Sequence, residues 1–200
     1  DKEENPALGI RAIRLCLKRP ELFKTHLRAL YRASAFGRLA IMLPMIISPE
    51  EIRQTKELIA GVQEELRNEG KAFSEHVELG IMIETPAAVM ISDLLAKEAD
   101  FFSIGTNDLT QYLLALDRQN DHVADSYNPF HPALIRSIQT VIRSAHQAGI
   151  WVGVCGEIGS DPEFAEILLS LGIDEISVPP NMILPLRKTI NSYHKQQLSL

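Results

Sequence analysis

Arg11, Glu84, Asn107, Asp108, Arg118 and Cys155 are the side chains of this sequence best placed to hold a cation and an anion together. They centre on FFSIGTNDLTQY at 101–112. Its apolar opening suits a buried strand, Gly105 permits a sharp turn, and Leu109, Tyr112 and Leu113 begin a helical spacing. Asn107 and Asp108 thus fall at a strand-to-helix corner, where free N–H groups and the positive helix end favour negative charge. Glu84 closes an earlier apolar run in the same way. Neighbouring strands lie about 5 Å apart, so Glu84 and Asp108 could share one hard cation. Mg²⁺ typically takes one or two carboxylates and leaves its other positions to water and phosphate. Each residue alone has a plainer use, Asn107 or Asp108 as a helix cap and Glu84 at its own helix start. Their joint occurrence favours the metal.

Arg11 and Arg118 are suited to clamp a carboxylate or phosphate through charge-assisted hydrogen bonds; either is equally suited to stand in solvent. Cys155 ends another apolar run and precedes a glycine. Such a cysteine commonly serves as a small buried hydrophobe, but beside a cation and arginines its thiol could give or take a proton. Cys16 lies in a helical spacing and reads as structural. His26, His76, His122, His131, His146 and His194 show no ligand spacing and receive no role.

The elements that position these residues alternate. Apolar runs at 8–11, 39–45, 77–83, 101–104, 150–154 and 175–178 read as strands, and each is followed by a helical pattern. Ser48-Pro49-Glu50-Glu51, Thr85-Pro86 and Asp161-Pro162-Glu163 are helix starts, with a capping residue followed by proline in the first turn. Alternation of this kind predicts parallel strands with right-handed crossovers. No glycine-rich dinucleotide fingerprint follows any strand, and candidate groups occur at several strand ends at once. Both points favour a (β/α)8 TIM-type barrel over an open sheet, since a barrel gathers strand ends into one rim. Six strand–helix units of eight predict an incomplete barrel, and 1–200 reads as one domain.

Hydrophobic residues make up 46% of the sequence, charged residues 23%, and the net charge is −6. That balance argues against nucleic acid or an anionic membrane as the main partner. The longest uncharged apolar run, 39–47, contains Pro44 and is too short to span a bilayer. Two cysteines give no disulfide framework, and a reducing cytoplasm is expected. The opening Asp-Lys-Glu-Glu-Asn-Pro reads like the interior of a longer chain.

These residues carry a resemblance. NPALGIRAIR at 5–14, RASAFG at 32–37, LPMIIS at 43–48, GIMIETPAA at 80–88, DFFSIGTNDLTQY at 100–112, LDRQN at 116–120 and CGE at 155–157 resemble the C-terminal domain of enzyme I. That family is the phosphoenolpyruvate–protein phosphotransferase of the bacterial sugar phosphotransferase system. The resemblance implies a phosphoenolpyruvate/pyruvate-type barrel. It implies that Glu84 and Asp108 bind Mg²⁺, that Arg11, Asn107, Asp108 and Arg118 bind substrate, and that Cys155 protonates the enolate carbon to give pyruvate. It further implies a cytoplasmic homodimer whose phosphoryl group passes to a histidine on a separate N-terminal domain, then to a histidine phosphocarrier protein. The segments IGS at 158–160 and SVPPN at 177–181 depart from the family pattern. Two other classes compete: a non-catalytic association module with an unclosed sheet edge, and a Mg²⁺-dependent carbon–carbon lyase of the same barrel type.

Overall fold

The computed structural model describes residues 3–193; His194, one of the unassigned histidines, lies outside them. After a 3₁₀ turn at Pro6–Leu8 come α1 (Ala12–Lys18), α2 (Pro20–Ala33), β1 (Ala40–Leu43), α3 (Pro49–Asn68) and β2 (Glu78–Ile83). Then follow α4 (Pro86–Met90), α5 (Ser92–Leu95), β3 (Phe101–Gly105), α6 (Thr106–Leu114) and α7 (Pro132–Ala148). The remaining elements are β4 (Trp151–Cys155), α8 (Pro162–Leu171), β5 (Glu175–Ile176) and α9 (Ile183–Ser192).

The five strands form one parallel sheet in the order β1-β2-β3-β4-β5. Doubly wound sheets reverse their strand order at a switch point, whereas barrel strands follow chain order. The sheet is therefore an arc of a TIM-type barrel, as expected. One face of the sheet is buried, with Leu79, Ile81, Ile83, Phe102, Ile104, Val152 and Val154 in the core, while on the other face Met42 is exposed and Met82, Ser103 and Trp151 are half-buried. Helices cover the outer face: α3 buries Ile52, Thr55, Ile59, Val62 and Leu66, one stripe at helical spacing. At its start the Glu51 carboxylate accepts from the N–H groups of Ile47 (2.7 Å) and Ser48 (3.1 Å), as the sequence motif implies.

The arc has five strands, not six. Residues 8–11 form no strand, because Leu8 and Ile10 are exposed and no neighbouring strand takes their backbone groups among the described residues. Instead Arg11 is a single extended residue at the start of α1. β5 is shorter than 175–178, since Pro179 and Pro180 follow and cannot donate to a ladder. The helix expected to run on from Pro86 breaks at Ile91, where the chain turns so that buried Ser92 reaches Ser144 of α7 at 2.8 Å.

Phe102 is fully buried at the centre of the sheet, in β3 between β2 and β4. Phe102→Ala is expected to lower the unfolding free energy by about 3–5 kcal/mol, measured by urea denaturation.

Candidate functional site at the C-terminal rim

Register assembles the site. Ile83 pairs with Ile104, and Gly105 with Cys155. Glu84, one residue past Ile83, and Cys155 therefore flank Gly105 at one level of the rim, on the same face. A Cβ at position 105 would stand 2.8 Å from Met82 Sδ and 3.0 Å from Glu84 Cβ. Glycine is what lets the Glu84 side chain lie across β3. The first turn of α6 rises directly from Gly105 and carries Asn107 and Asp108.

Glu84 is 4% exposed, and its Oε1 accepts the Met45 N–H at 2.6 Å. Met45 has φ of +60°, a left-handed conformation that a bulky residue rarely adopts. Thr85 locks the same loop by donating to the Ile46 carbonyl at 3.0 Å, while its Oγ1 caps α4 by accepting from Ala88 N–H at 3.1 Å. The helix start is thus served by Thr85 and not by Glu84. Nor do Asn107 and Asp108 cap α6, whose N-cap is Gly105 with no side-chain cap bond. The plainer uses for these residues are not the ones the fold makes of them.

Asp108 is the hub. Its two oxygens lie 3.6 Å from Arg11 Nη2 and 3.6 Å from Arg118 Nη2, and its charge acts on the neighbouring Glu84. The structure therefore brings both arginines to the carboxylate pair. Burial pushes Glu84 up to about 7; Asp108 adds to the rise, and the Met45 N–H and Arg11 oppose it. Asn107 accepts the Glu157 N–H on its Oδ1 at 3.3 Å, tying α6 to the segment after Cys155. It meets Arg118, Tyr127 and Glu157 in a groove of about 400 Å³. Cys155 is half-buried; Ser103 Oγ donates to its Sγ at 3.4 Å, and Sγ lies 3.7 Å from the Ile104 carbonyl. Burial pushes its thiol up, and the Ser103 hydrogen bond opposes that.

Cys16 packs against the core, as its spacing implied. His131 caps α7 by accepting the Ala133 N–H at 3.1 Å, and His146 pairs with Asp174 at 2.9 Å. Among the described residues, no three or more His, Cys, Asp or Glu side chains are grouped for a metal. The sequence did not reveal as parts of the site the Met45 N–H, Ser103, Gln111, whose Oε1 accepts the Arg118 N–H at 3.1 Å, or the Tyr112 hydroxyl, which accepts from Arg11 Nη1 at 3.4 Å. Ser103 has a visible signal, lying two residues before Gly105 and so on the same strand face; a backbone N–H has none.

Because Glu84 is raised from 4.5 to about 7, the folded chain binds more protons than the unfolded chain across that interval. Stability is therefore fully present below the unfolded pKa and falls as pH rises toward 7. In metal-free buffer, Glu84→Gln is expected to flatten this loss and raise Tm at pH 8, as thermal denaturation across pH 5–8 would record.

The described residues include no helix long and apolar enough to cross a membrane. Similarity to known proteins agrees with the geometry. The chain is 50% identical over 196 residues to a phosphoenolpyruvate-protein phosphotransferase of Geobacillus stearothermophilus, covering 98% of this chain and 34% of the relative. It spans about a third of the length of the curated relatives it matches. Its fold is similar to a citrate lyase of Burkholderia xenovorans LB400, with TM-score 0.61 and 19% identity over 83% of this chain and 53% of that one. A citrate lyase beta subunit of Mycobacterium tuberculosis, complexed with oxaloacetate and magnesium, gives 0.53 and 16% over 75% and 60%. The model of the PEP-utilising enzymes' PEP-binding domain matches residues 1–195, and the chain belongs to that family.

Proposed function

We propose that this chain forms the phosphoenolpyruvate site of a phosphoenolpyruvate–protein phosphotransferase, with Mg²⁺ held by Glu84 and Asp108. The observation that carries the reading is the convergence of a carboxylate pair, two guanidinium groups and a thiol on one barrel rim. The donor set fits the ion. Burial and a neighbouring carboxylate favour the protonated form of Glu84, and a hard divalent cation would replace that proton with a stronger neutralising charge. The magnesium in the citrate lyase relative of the same fold supports this choice. When bound, the ion supplies Lewis-acid charge to the substrate's oxygens.

The protein's own groups do the rest. Arg11, Arg118 and Asn107 hold the phosphate end, where fixed positive charge and hydrogen-bond donors stabilise a departing phosphoryl group. As the bond between phosphorus and the enol oxygen breaks, its electron pair stays with the enolate. The Cys155 S–H bond then breaks, its proton forms the new C–H bond at the enolate carbon, and pyruvate results. The thiolate regains a proton from water. Burial suits Cys155 to this task, because it keeps the thiol protonated at neutral pH.

In this reading the phosphoryl acceptor is a histidine on an N-terminal domain, and the histidine phosphocarrier protein receives the group next. The working enzyme is a cytoplasmic homodimer. The half-identical relatives support the phosphotransferase over a lyase, as does Cys155, which a lyase does not require.

The proton step needs no acceptor domain. In D₂O with Mg²⁺, the chain is expected to exchange the methyl protons of pyruvate, followed by NMR. Cys155→Ala is expected to slow exchange by about 10²-fold or more, and Asp108→Asn to abolish it. Exchange undiminished in Cys155→Ala would remove the cysteine from the chemistry. No exchange by the folded parent chain would favour a non-catalytic association module.

A further inference from the structure

Arg11 reaches the rim from a segment that the core scarcely holds. None of Pro6–Leu8 is buried, and Leu8 and Ile10 stand exposed. Between this segment and α6 lies a groove of about 400 Å³, lined in part by Asn5, Ala7, Leu8 and Tyr112. Apolar packing ahead of Arg11 therefore does little to fix where its side chain points; the nearest buried anchor is Ile13, beyond it in α1. Within the segment, the hydrogen bonds are local: Leu8 N–H to Asn5, Gly9 N–H to Pro6, and Ile10 N–H to Glu3. Arg14 of α1 adds bonds to the Leu8 and Gly9 carbonyls.

Beyond α1, the hydrogen bonds joining residues 3–11 to the barrel both end on one atom among the described residues. The Tyr112 hydroxyl donates to the Ala7 carbonyl at 2.6 Å and accepts from Arg11 Nη1 at 3.4 Å. It thus ties down the segment and its guanidinium together. Tyr112 lies four residues after Asp108 on α6, and residues so spaced share a helix face. Asp108 meets the other side of the same guanidinium, its Oδ2 3.6 Å from Nη2. Gln111, on the same face, accepts the Arg118 N–H at 3.1 Å. One face of one helix, bearing Asp108, Gln111 and Tyr112, therefore touches both arginine-bearing segments.

We propose that Tyr112 is a positioning residue for the anion site, its hydroxyl holding Arg11 in the orientation that presents the guanidinium to the rim. A phenylalanine would keep the ring and lose both hydrogen bonds. The consequence for ligand binding rests on Arg11 being an anion-holding group, as proposed above, but the positioning itself does not. Two measurements separate these points. The first uses no ligand: phenylglyoxal modification of arginines in the 200-residue chain, quantified by peptide mass spectrometry. Arg11 in Tyr112→Phe is expected to react several-fold faster than in the parent chain, with Arg118 unchanged. The second is calorimetric titration with phosphoenolpyruvate in the presence of Mg²⁺, in a double-mutant cycle with Arg11→Ala. Tyr112→Phe is expected to weaken phosphoenolpyruvate binding by about 5–10-fold, the worth of roughly one hydrogen bond, and to have no further effect once Arg11 is removed. Unchanged Arg11 reactivity, or an equal loss of affinity in the Arg11→Ala background, would overturn the proposal. If the parent chain binds no phosphoenolpyruvate, the reading of the site as an anion site fails, and the modification experiment alone decides the role of Tyr112.

Discussion

The Glu84 carboxyl sits out of water beside that of Asp108, and the rim is built around making this arrangement tolerable. Removing a charged group from solvent is costly unless it is paired or keeps its proton. The protein answers with a backbone N–H from Met45 on Glu84 and two guanidinium groups near Asp108. These leave Glu84 still raised to about 7, so the neutralisation is incomplete. A structural ion pair would be arranged to complete it. An incomplete one leaves a pair of oxygen donors with a demand for positive charge that the divalent cation of the proposed function would meet.

The fold serves this corner at several levels. The parallel register sets Glu84 and Cys155 on either side of Gly105, and the absence of a side chain at Gly105 lets the buried carboxyl cross β3. Gly156, at φ of +121°, turns the chain immediately after Cys155, and a Cβ there would collide with Thr106 Oγ1. Thr106 in turn donates to the Cys155 carbonyl at 3.0 Å. The exits of β3 and β4 are therefore fastened to one another, and the thiol keeps its place relative to α6. Left-handed backbone at Ala12 and Met45 marks the two loops that deliver Arg11 and the Met45 N–H. Strain of this kind persists where surrounding contacts hold it.

Much of this was legible in the sequence because it is local. Strand–helix alternation gave the parallel α/β class, candidate groups at several strand ends favoured the barrel, and the cap-plus-proline starts at Ser48, Thr85 and Asp161 are where helices begin. Glu84 and Cys155 stood out because each ends an apolar run, and Asp108 because it lies at a strand-to-helix corner. Residues 8–11 misled for the converse reason: a short apolar run looks alike whether or not a neighbour accepts its backbone, and that neighbour is not encoded nearby. The two readings of Arg118, clamp or solvated side chain, differ only in where a polar loop folds back. Tyr112 showed only a helical spacing, since its value lies in reaching Ala7, 105 residues away. The Met45 N–H was invisible altogether, because a main-chain donor has no residue type to notice.

In the proposed function Glu84 and Asp108 together hold one divalent cation, and titration of the chain with Mn²⁺, with free ion followed by electron paramagnetic resonance, is the decisive experiment. One Mn²⁺ bound per chain, displaced by excess Mg²⁺ and lost in both Glu84→Gln and Asp108→Asn, is the expected result. A bound ion that survives both substitutions would contradict it and place the metal elsewhere.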